Sequence, residues 1–153
     1  MNLNPVTLKK LKRFKSIKRG YYSFVIFSVL VVISLLAELL VNSRALAVSY
    51  QGELYFPTYG DVIPGQHFGL DYEYETNYRQ LKSQFAKEGK GDWVLLPLVP
   101  WNPYEQDFKE EAYPPYAPSL VERHFLGTDT SGRDVLARLV YGFRIAIGFA
   151  FIA

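Results

Sequence analysis

Cysteine is absent from the 153-residue chain, which excludes disulfide scaffolds, thiolate zinc sites and thiol catalysis. Histidine occurs only twice, at His67 and His124, so a histidine-rich metal centre is excluded as well. Internal repeats and low-complexity tracts are also lacking. Charged residues make up 21% and hydrophobic residues 49%, a balance that excludes a disordered or collagen-like chain. The length suits one domain, or one domain with appendages.

Acidic residues are absent from residues 1–20, which carry seven lysines and arginines. Residues 42–134 have the opposite balance, with eight basic and fourteen acidic residues, a net charge of −6 by subtraction. Between these parts lies an apolar run, residues 21–41, in which Glu38 is the one ionisable residue other than Tyr21 and Tyr22. A basic head, an apolar stretch and an acidic body together indicate a membrane topology.

The apolar run, residues 21–41, has the length of a transmembrane helix. Its 21 residues would cover the ~30 Å hydrocarbon core at 1.5 Å rise per residue. Tyr21 and Tyr22 fall where an interfacial aromatic belt would lie. Because positive charge stays on the cytoplasmic side, we expect residues 1–20 to be a cytoplasmic tail beside lipid head groups.

A cleaved signal peptide is the alternative interpretation, since Ala45-Leu46-Ala47 has the small-x-small form of a cleavage site. The apolar run exceeds the roughly 7–15 residues of a typical signal core, which favours a retained anchor. A nucleic-acid partner is not expected, because no basic patch interleaved with aromatic residues follows the tail.

Residues 42–123 are polar and rich in tyrosine, and their first half predicts a hairpin and a helix. Residues 45–50 and 53–56 flank Gln51-Gly52 as in a β-hairpin. Residues 57–75 carry prolines and glycines and predict a loop. Thr76 is the predicted cap of a helix that runs to Glu88 and stops at Gly89.

The second half of this region predicts extended structure and a small, marginal core. Pro97 and Pro100 restrict residues 93–101 to an edge strand or an extended segment. The acidic residues Asp71, Glu73 and Glu75 lack the spacing of a calcium loop and predict a solvated face. No acid–base or nucleophile–base pair can be assigned, so no catalysis is predicted.

Residues 124–144 predict a loop followed by an amphipathic interfacial helix. Thr130 or Ser131 is the predicted cap, and Asp134 and Arg138 at i, i+4 are predicted to pair. Residues 145–153 have no charge but are too short to span a bilayer. They either begin a truncated second transmembrane helix, in which case the chain is an N-terminal fragment, or form a short interfacial segment.

A run of residues in this segment resembles the signature of the "C" permease subunit of peptide-type ABC importers. It reads LGTDxxGRDVLxRLxYGxRI over residues 126–145. The signature positions are Leu126, Gly127, Thr128, Asp129, Gly132, Arg133, Asp134, Arg138, Gly142 and Arg144. Between the first helix and this signature lies a long insert, residues 42–123. The chain is similar to the microcin C-type branch in and beside this insert, at Glu38-Leu39, Tyr50-x-Gly52-x-x-Tyr55-Phe56-Pro57 and Trp93-Val94-Leu95.

The resemblance implies an α-helical integral membrane protein with a small irregular α+β periplasmic insert between the first and second membrane helices. It implies a multi-pass subunit of the bacterial inner membrane, with a cytoplasmic N-terminus. The implied partners are a second permease subunit, two cytoplasmic ATPase subunits and a periplasmic substrate-binding protein. No cofactor is expected in this chain, since ATP would be bound by the ATPase subunits, and the chain itself is not expected to be an enzyme.

Two other function classes stay open at the level of sequence. One is a single-span anchored or secreted periplasmic binding module, which cleavage after Ala47 would favour. The other is an outward-facing enzyme that uses Asp129, His124 or the acidic loop. The signature residues themselves are predicted to be structural, turning the chain from the outer surface into the second helix.

Overall fold

The computed structural model describes residues 4–110 and 112–152. The chain divides into two units, one ending at Leu35 and the other beginning at Leu36. The first unit holds helices α1 (Pro5–Ser16) and α2 (Lys18–Leu35). The second unit holds three helices and three strands, which are α3 (Ala37–Leu40), β1 (Ala47–Tyr50), β2 (Glu53–Tyr55), α4 (Tyr78–Glu88), β3 (Trp93–Leu95) and α5 (Val135–Ile152).

The basic head folds into helix α1. Asn4 caps it by accepting a hydrogen bond from the backbone N–H of Val6 at 3.1 Å, and proline at the first helical position suits that start. The helix ends before Ile17, and Phe14 packs edge-on against Tyr21 and Phe24 of α2, with ring centroids 6.0 and 5.6 Å apart. By length and composition, helix α2 is apolar enough to cross a membrane.

The apolar run at 21–41 is not one continuous helix. Helix α2 ends at Leu35, and Leu36 has φ −89° and ψ 12°, after which the short helix α3 begins. Val41 is extended and forms a parallel bridge with Val99. The backbone of Asn42 donates to the Val99 carbonyl at 3.1 Å. This pairing takes backbone groups that a longer helix would need, so the helical stretch stops earlier than the composition predicts.

The predicted hairpin is confirmed, as strands β1 and β2 pair antiparallel with Ser49 opposite Leu54. Its turn places Gln51 at φ 51° and Gly52 at φ 85°, the left-handed conformations that a two-residue hairpin turn requires. Strand β3 pairs antiparallel with the other side of β1. The sheet order is β2-β1-β3, so β3 is an edge strand, as the following prolines predict.

Helix α4 begins one residue later than predicted. The cap is Asn77, whose side-chain oxygen accepts from the backbone N–H groups of Arg79 and Gln80. Thr76 is not the cap, because its hydroxyl donates instead to the Ile63 carbonyl at 2.8 Å. The predicted stop is confirmed, since Gly89 adopts φ 62° directly after the helix. The stretch 57–75, predicted as a loop, contains a 3₁₀ helix at Gly65–Phe68.

Two hydrophobic clusters hold the second unit together. The larger one lies between the sheet and α4, and its buried residues are Ala45, Val48, Phe68, Leu70, Tyr78, Leu81, Phe85 and Val94. Burial there raises the pKa of the Tyr78 hydroxyl to about 12. The smaller cluster consists of Val41, Val99, Trp101 and Ala137. It packs the start of α5 against the end of the apolar run. The signature segment therefore lies where these two parts of the chain are in contact.

Candidate functional site at the start of helix α5

A fully buried histidine, His124, stands at the entry to the signature segment. Its Nδ1 lies 2.7 Å from Oδ2 of Asp134, which is also buried. Its Nε2 faces Oδ2 of Asp107 at 3.4 Å. The ring stacks on Trp101, with centroids 4.2 Å apart. The imidazole therefore lies between the carboxylates of Asp134 and Asp107, and its face packs on Trp101 of the smaller hydrophobic cluster.

Asp134 is the cap of helix α5. Its Oδ1 accepts a hydrogen bond from the backbone N–H of Ala137 at 2.6 Å, while Oδ2 faces His124. The predicted cap at Thr130 or Ser131 is therefore wrong. The predicted pair between Asp134 and Arg138 is wrong as well, because Arg138 pairs with Asp129 instead.

Asp129 organises the loop before the helix. Its carboxylate accepts from the backbone N–H groups of Ser131 and Arg133 at 2.8 and 3.0 Å, and from Nε of Arg133 at 3.0 Å. Arg138 also pairs with it. Partial burial by itself would raise the pKa of Asp129, but the hydrogen bonds from Arg133, Ser131 and Arg138 outweigh it and lower the pKa to about 2.

Two of the three signature glycines lie where no side chain fits. Gly127 has φ 72°, and a Cβ there would lie 2.5 Å from the carbonyl oxygen of Tyr116. Gly132 has φ 77°, and a Cβ would lie 2.5 Å from the carbonyl oxygen of Asp107. Both positions combine the left-handed conformation with close backbone approach. The glycines thus let the proline-rich segment before them lie directly against the signature loop.

Hydrogen bonds connect that proline-rich segment to the signature loop. The backbone N–H of Asp107 donates to the Gly132 carbonyl at 2.9 Å. Tyr116 donates its backbone N–H to the hydroxyl of Thr128 at 2.8 Å, and Thr128 returns a bond to the Tyr116 carbonyl. Trp101 donates its indole N–H to the Glu122 carbonyl at 2.8 Å. The loop is therefore held by the insert as well as by the helix.

A second polar cluster joins helices α3 and α5. Nη1 of Arg144 lies 2.7 Å from Oε1 of Glu38, and the hydroxyl of Tyr141 donates to Oε2 of Glu38 at 2.8 Å. Tyr141 also contacts the Val41 carbonyl at 3.3 Å. The ion pair is partly exposed, at 45% and 35% for the two side chains. It connects the residues that follow the first apolar helix to the middle of α5.

The structure brings most of the predicted signature residues together. Gly127, Thr128, Asp129, Gly132, Arg133, Asp134 and Arg138 form one hydrogen-bonded loop at the start of α5, and Arg144 joins the cluster with Glu38. Leu126 is 50% exposed and takes no part in the polar network. Nothing lies within 4 Å of a Cβ at Gly142, so its structural role in the signature stays a prediction.

The sequence did not indicate Trp101 or Asp107 as members of this site, and it offered His124 only as a residue of the alternative enzyme. The one local signal is that His124 lies two residues before Leu126, where the signature begins. Because His124 is fully buried, it has no access to an outside substrate, which removes it from the proposed enzyme site. Across residues 4–110 and 112–152, no cluster of three or more histidine, aspartate or glutamate residues is placed to hold a metal ion.

Comparison with known proteins finds relatives that cover nearly the whole of this chain. The chain is 36% identical over 149 residues to the inner membrane ABC transporter permease protein YejE of Escherichia coli strain K12, covering 96% of this chain and 42% of that protein. The chain is homologous to the N-terminal part of ABC transporter permeases. It spans about two fifths of the length of the curated relatives it matches.

Two other permeases support the same relationship. The peptidoglycan transport system permease protein YejE of Agrobacterium fabrum is 33% identical over 170 residues, covering 95% of this chain and 43% of that protein. The dipeptide transport system permease protein DppC of Escherichia coli strain K12 is 44% identical over 52 residues, or 33% of this chain and 17% of that protein. No family model and no solved structure matches this permease homologue.

Proposed function

We propose that this chain is the N-terminal part of an inner-membrane permease subunit of an ABC importer for oligopeptide-like substrates of the microcin C and peptide type. The observation that carries the proposal is its homology to ABC transporter permeases over 96% of the chain. In this assembly the chain is not the catalytic subunit. Two cytoplasmic ATPase subunits bind ATP, a second permease subunit completes the pathway, and a periplasmic binding protein delivers the substrate.

Helix α2 is the first membrane span in this proposal. Its apolar side chains are exposed, as at Phe24, Ile26 and Val32, which are 59%, 60% and 54% accessible. A helix that is hydrophobic all round needs an apolar surrounding, and lipid supplies it. The seven positive charges of residues 1–20, two of which lie in the first turn of α2, keep the N-terminus cytoplasmic and place residues 42–123 in the periplasm. Helix α5 begins the second span.

The packing around the small-x-small sequence argues against the signal-peptide alternative. Ala45 is fully buried in the larger cluster, and its carbonyl accepts hydrogen bonds from the backbone N–H and the hydroxyl of Thr58. Cleavage after Ala47 would remove Ala45 and the first residue of β1 from the folded insert. N-terminal sequencing of the membrane-purified product tests this directly, since an intact N-terminus is expected and a new terminus at Val48 would favour the secreted module.

The insert is proposed to be an outer cap that contacts the binding protein. Its support is the acidic balance of residues 42–134, a net charge of −6 by subtraction, and highly exposed aromatic residues such as Tyr113, which is 95% accessible. A photo-cross-linking amino acid in place of Tyr113 should capture the purified binding protein on the assembled permease. Capture of the second permease subunit instead would contradict the assignment of the partner.

The importer proposal is tested by uptake. Membrane vesicles that contain the full-length permease, its partner subunits and the binding protein should accumulate a radiolabelled oligopeptide when ATP is supplied. Vesicles that lack this permease should not. Equal accumulation with and without the permease would contradict the proposed function.

A further inference from the structure

A cleft of about 450 Å³ opens on the insert beside two exposed tyrosines, Tyr74 and Tyr104. Their side chains are 70% and 77% accessible, and the hydroxyl of neither is hydrogen-bonded within the described residues. The volume falls in the roughly 300–1,000 Å³ range of small-molecule sites. A tyrosine offers an apolar ring and a polar tip at low entropic cost, which suits it to ligand contact.

The charges that line the cleft are already balanced. Nε of Arg44 lies 2.5 Å from Oε1 of Glu75. Arg79 pairs with Glu105 through both terminal nitrogens, and its guanidinium stacks over Trp101 at 3.8 Å. A phosphate or nucleic acid would have to compete with these carboxylates for the two arginines. The cleft therefore suits a ligand with little net charge.

Two asparagines at the cleft have side-chain N–H donors that are not used within the protein residues described. Asn77 uses its side-chain oxygen to accept from Arg79 and Gln80, and Asn102 uses its own to accept from the backbone N–H of Tyr104 at 2.9 Å. Within residues 4–110 and 112–152, neither side-chain Nδ2 donates to a protein group. Each amide nitrogen carries two N–H donors. The spare donors match carbonyl oxygens, the acceptors that a peptide backbone repeats along its length.

We propose that this cleft binds the backbone of an oligopeptide on the periplasmic side, with the Asn77 and Asn102 amides donating to peptide carbonyls. The rings of Tyr74 and Tyr104 pack against its side chains. This inference rests on the proposed importer function and assigns that function a receiving site outside the membrane. In this proposal the insert takes part in substrate capture in addition to its role as an outer cap.

The test uses the assembled importer in nanodiscs and radiolabelled tetra-alanine as the probe. Benzoylphenylalanine replaces Tyr104 in one variant and Tyr59 in a matched control, because Tyr59 is 73% exposed but lies outside the cleft. Light should attach the peptide at position 104 and not at position 59. In transport assays, Tyr104→Ala should raise the concentration for half-maximal uptake about fivefold or more, whereas Tyr59→Ala should leave it unchanged.

The outcomes separate this inference from the importer proposal. If the wild-type assembly takes up no oligopeptide, the proposed function itself fails. If it imports peptide but position 104 captures none and Tyr104→Ala imports like the wild type, the cleft is not a peptide site. Capture of the binding protein at position 104 in place of the peptide would also overturn the inference, because the cleft would then be a protein contact.

Discussion

The carboxylate of Asp134 serves two partners at once, with Oδ2 2.7 Å from Nδ1 of His124 and Oδ1 2.6 Å from the backbone N–H of Ala137. One oxygen thus holds the ring of His124 and the other caps helix α5. Because both Asp134 and His124 are buried, water does not replace either contact. Asp134 therefore links the cap of α5 to the buried His124, whose ring stacks on Trp101 of the insert.

Removal of this carboxylate should impair assembly more than specificity. Asp134→Ala loses the cap and leaves His124 without its buried partner, a combined cost of about 2–5 kcal/mol in the free energy of unfolding. The yield of purified permease complex should fall strongly, while the order of preference among imported peptides is unchanged. The matched control is Asp71→Ala, which removes an exposed carboxylate and should leave the yield unaltered. A normal yield with altered peptide preference would contradict this account.

The pair between Glu38 and Arg144 predicts recovery by charge exchange. Glu38→Arg and Arg144→Glu should each lower the melting temperature of the purified complex, because like charges would meet across 2.7 Å. The double variant restores opposite charges in reversed positions. Since both side chains are partly exposed, the coupling should be about 0.5–1 kcal/mol in a double-mutant cycle. Additive effects of the two substitutions would show that the pair contributes nothing.

The close contact between Gly132 and Asp107 predicts that a side chain at position 132 destabilises the fold by a steric clash as well as by its positive φ. Gly132→Ala should destabilise the chain by at least about 1 kcal/mol more than Gly89→Ala, when the midpoints of thermal unfolding are compared. Both glycines have positive φ, at 77° and 62°. Only at Gly132 would the new Cβ meet a backbone atom, since nothing lies within 4 Å of a Cβ at Gly89. Equal losses would mean that the insert does not press against the loop.

The lowered pKa of Asp129 predicts how the stability of the fold depends on pH. Its folded pKa of about 2 lies below the ordinary 3.8, so the ionised carboxylate stabilises the folded state above pH 4. That contribution is lost as the pH falls from about 4 to about 2. Asp129→Asn should therefore lower stability at neutral pH and flatten its pH dependence in this window. Parallel curves for the variant and the wild type, from denaturant unfolding, would contradict the role of Asp129.

Local features of the fold could be predicted from the sequence because local interactions decide them. The hairpin turn at Gln51-Gly52 and the stop of α4 at Gly89 follow from backbone conformations that few residues allow. The prolines after Leu95 similarly restrict β3 to an edge. The signature loop was indicated by resemblance, and its hydrogen bonds are formed mostly among its own residues.

Contacts between distant segments could not be predicted. Glu38 and Arg144 are 106 residues apart in sequence, and no periodicity links them. The predicted pair of Asp134 with Arg138 follows helical spacing. Spacing alone does not show that Asp134 is the N-cap, where its carboxylate faces the backbone N–H of Ala137. Arg138 instead pairs with Asp129, nine residues earlier. The end of the helical stretch at Leu40 likewise depends on the distant Val99, which pairs with Val41.

Topology labelling tests the central claim most directly, that the chain crosses the inner membrane with its basic head inside and its acidic insert outside. Because the chain has no cysteine, Ser16→Cys and Tyr113→Cys each introduce a single reporter thiol. In spheroplasts, a membrane-impermeant maleimide should label the Tyr113→Cys variant at once and the Ser16→Cys variant only after detergent is added. Labelling of Ser16→Cys before detergent, or recovery of both variants in the soluble fraction, would contradict the account.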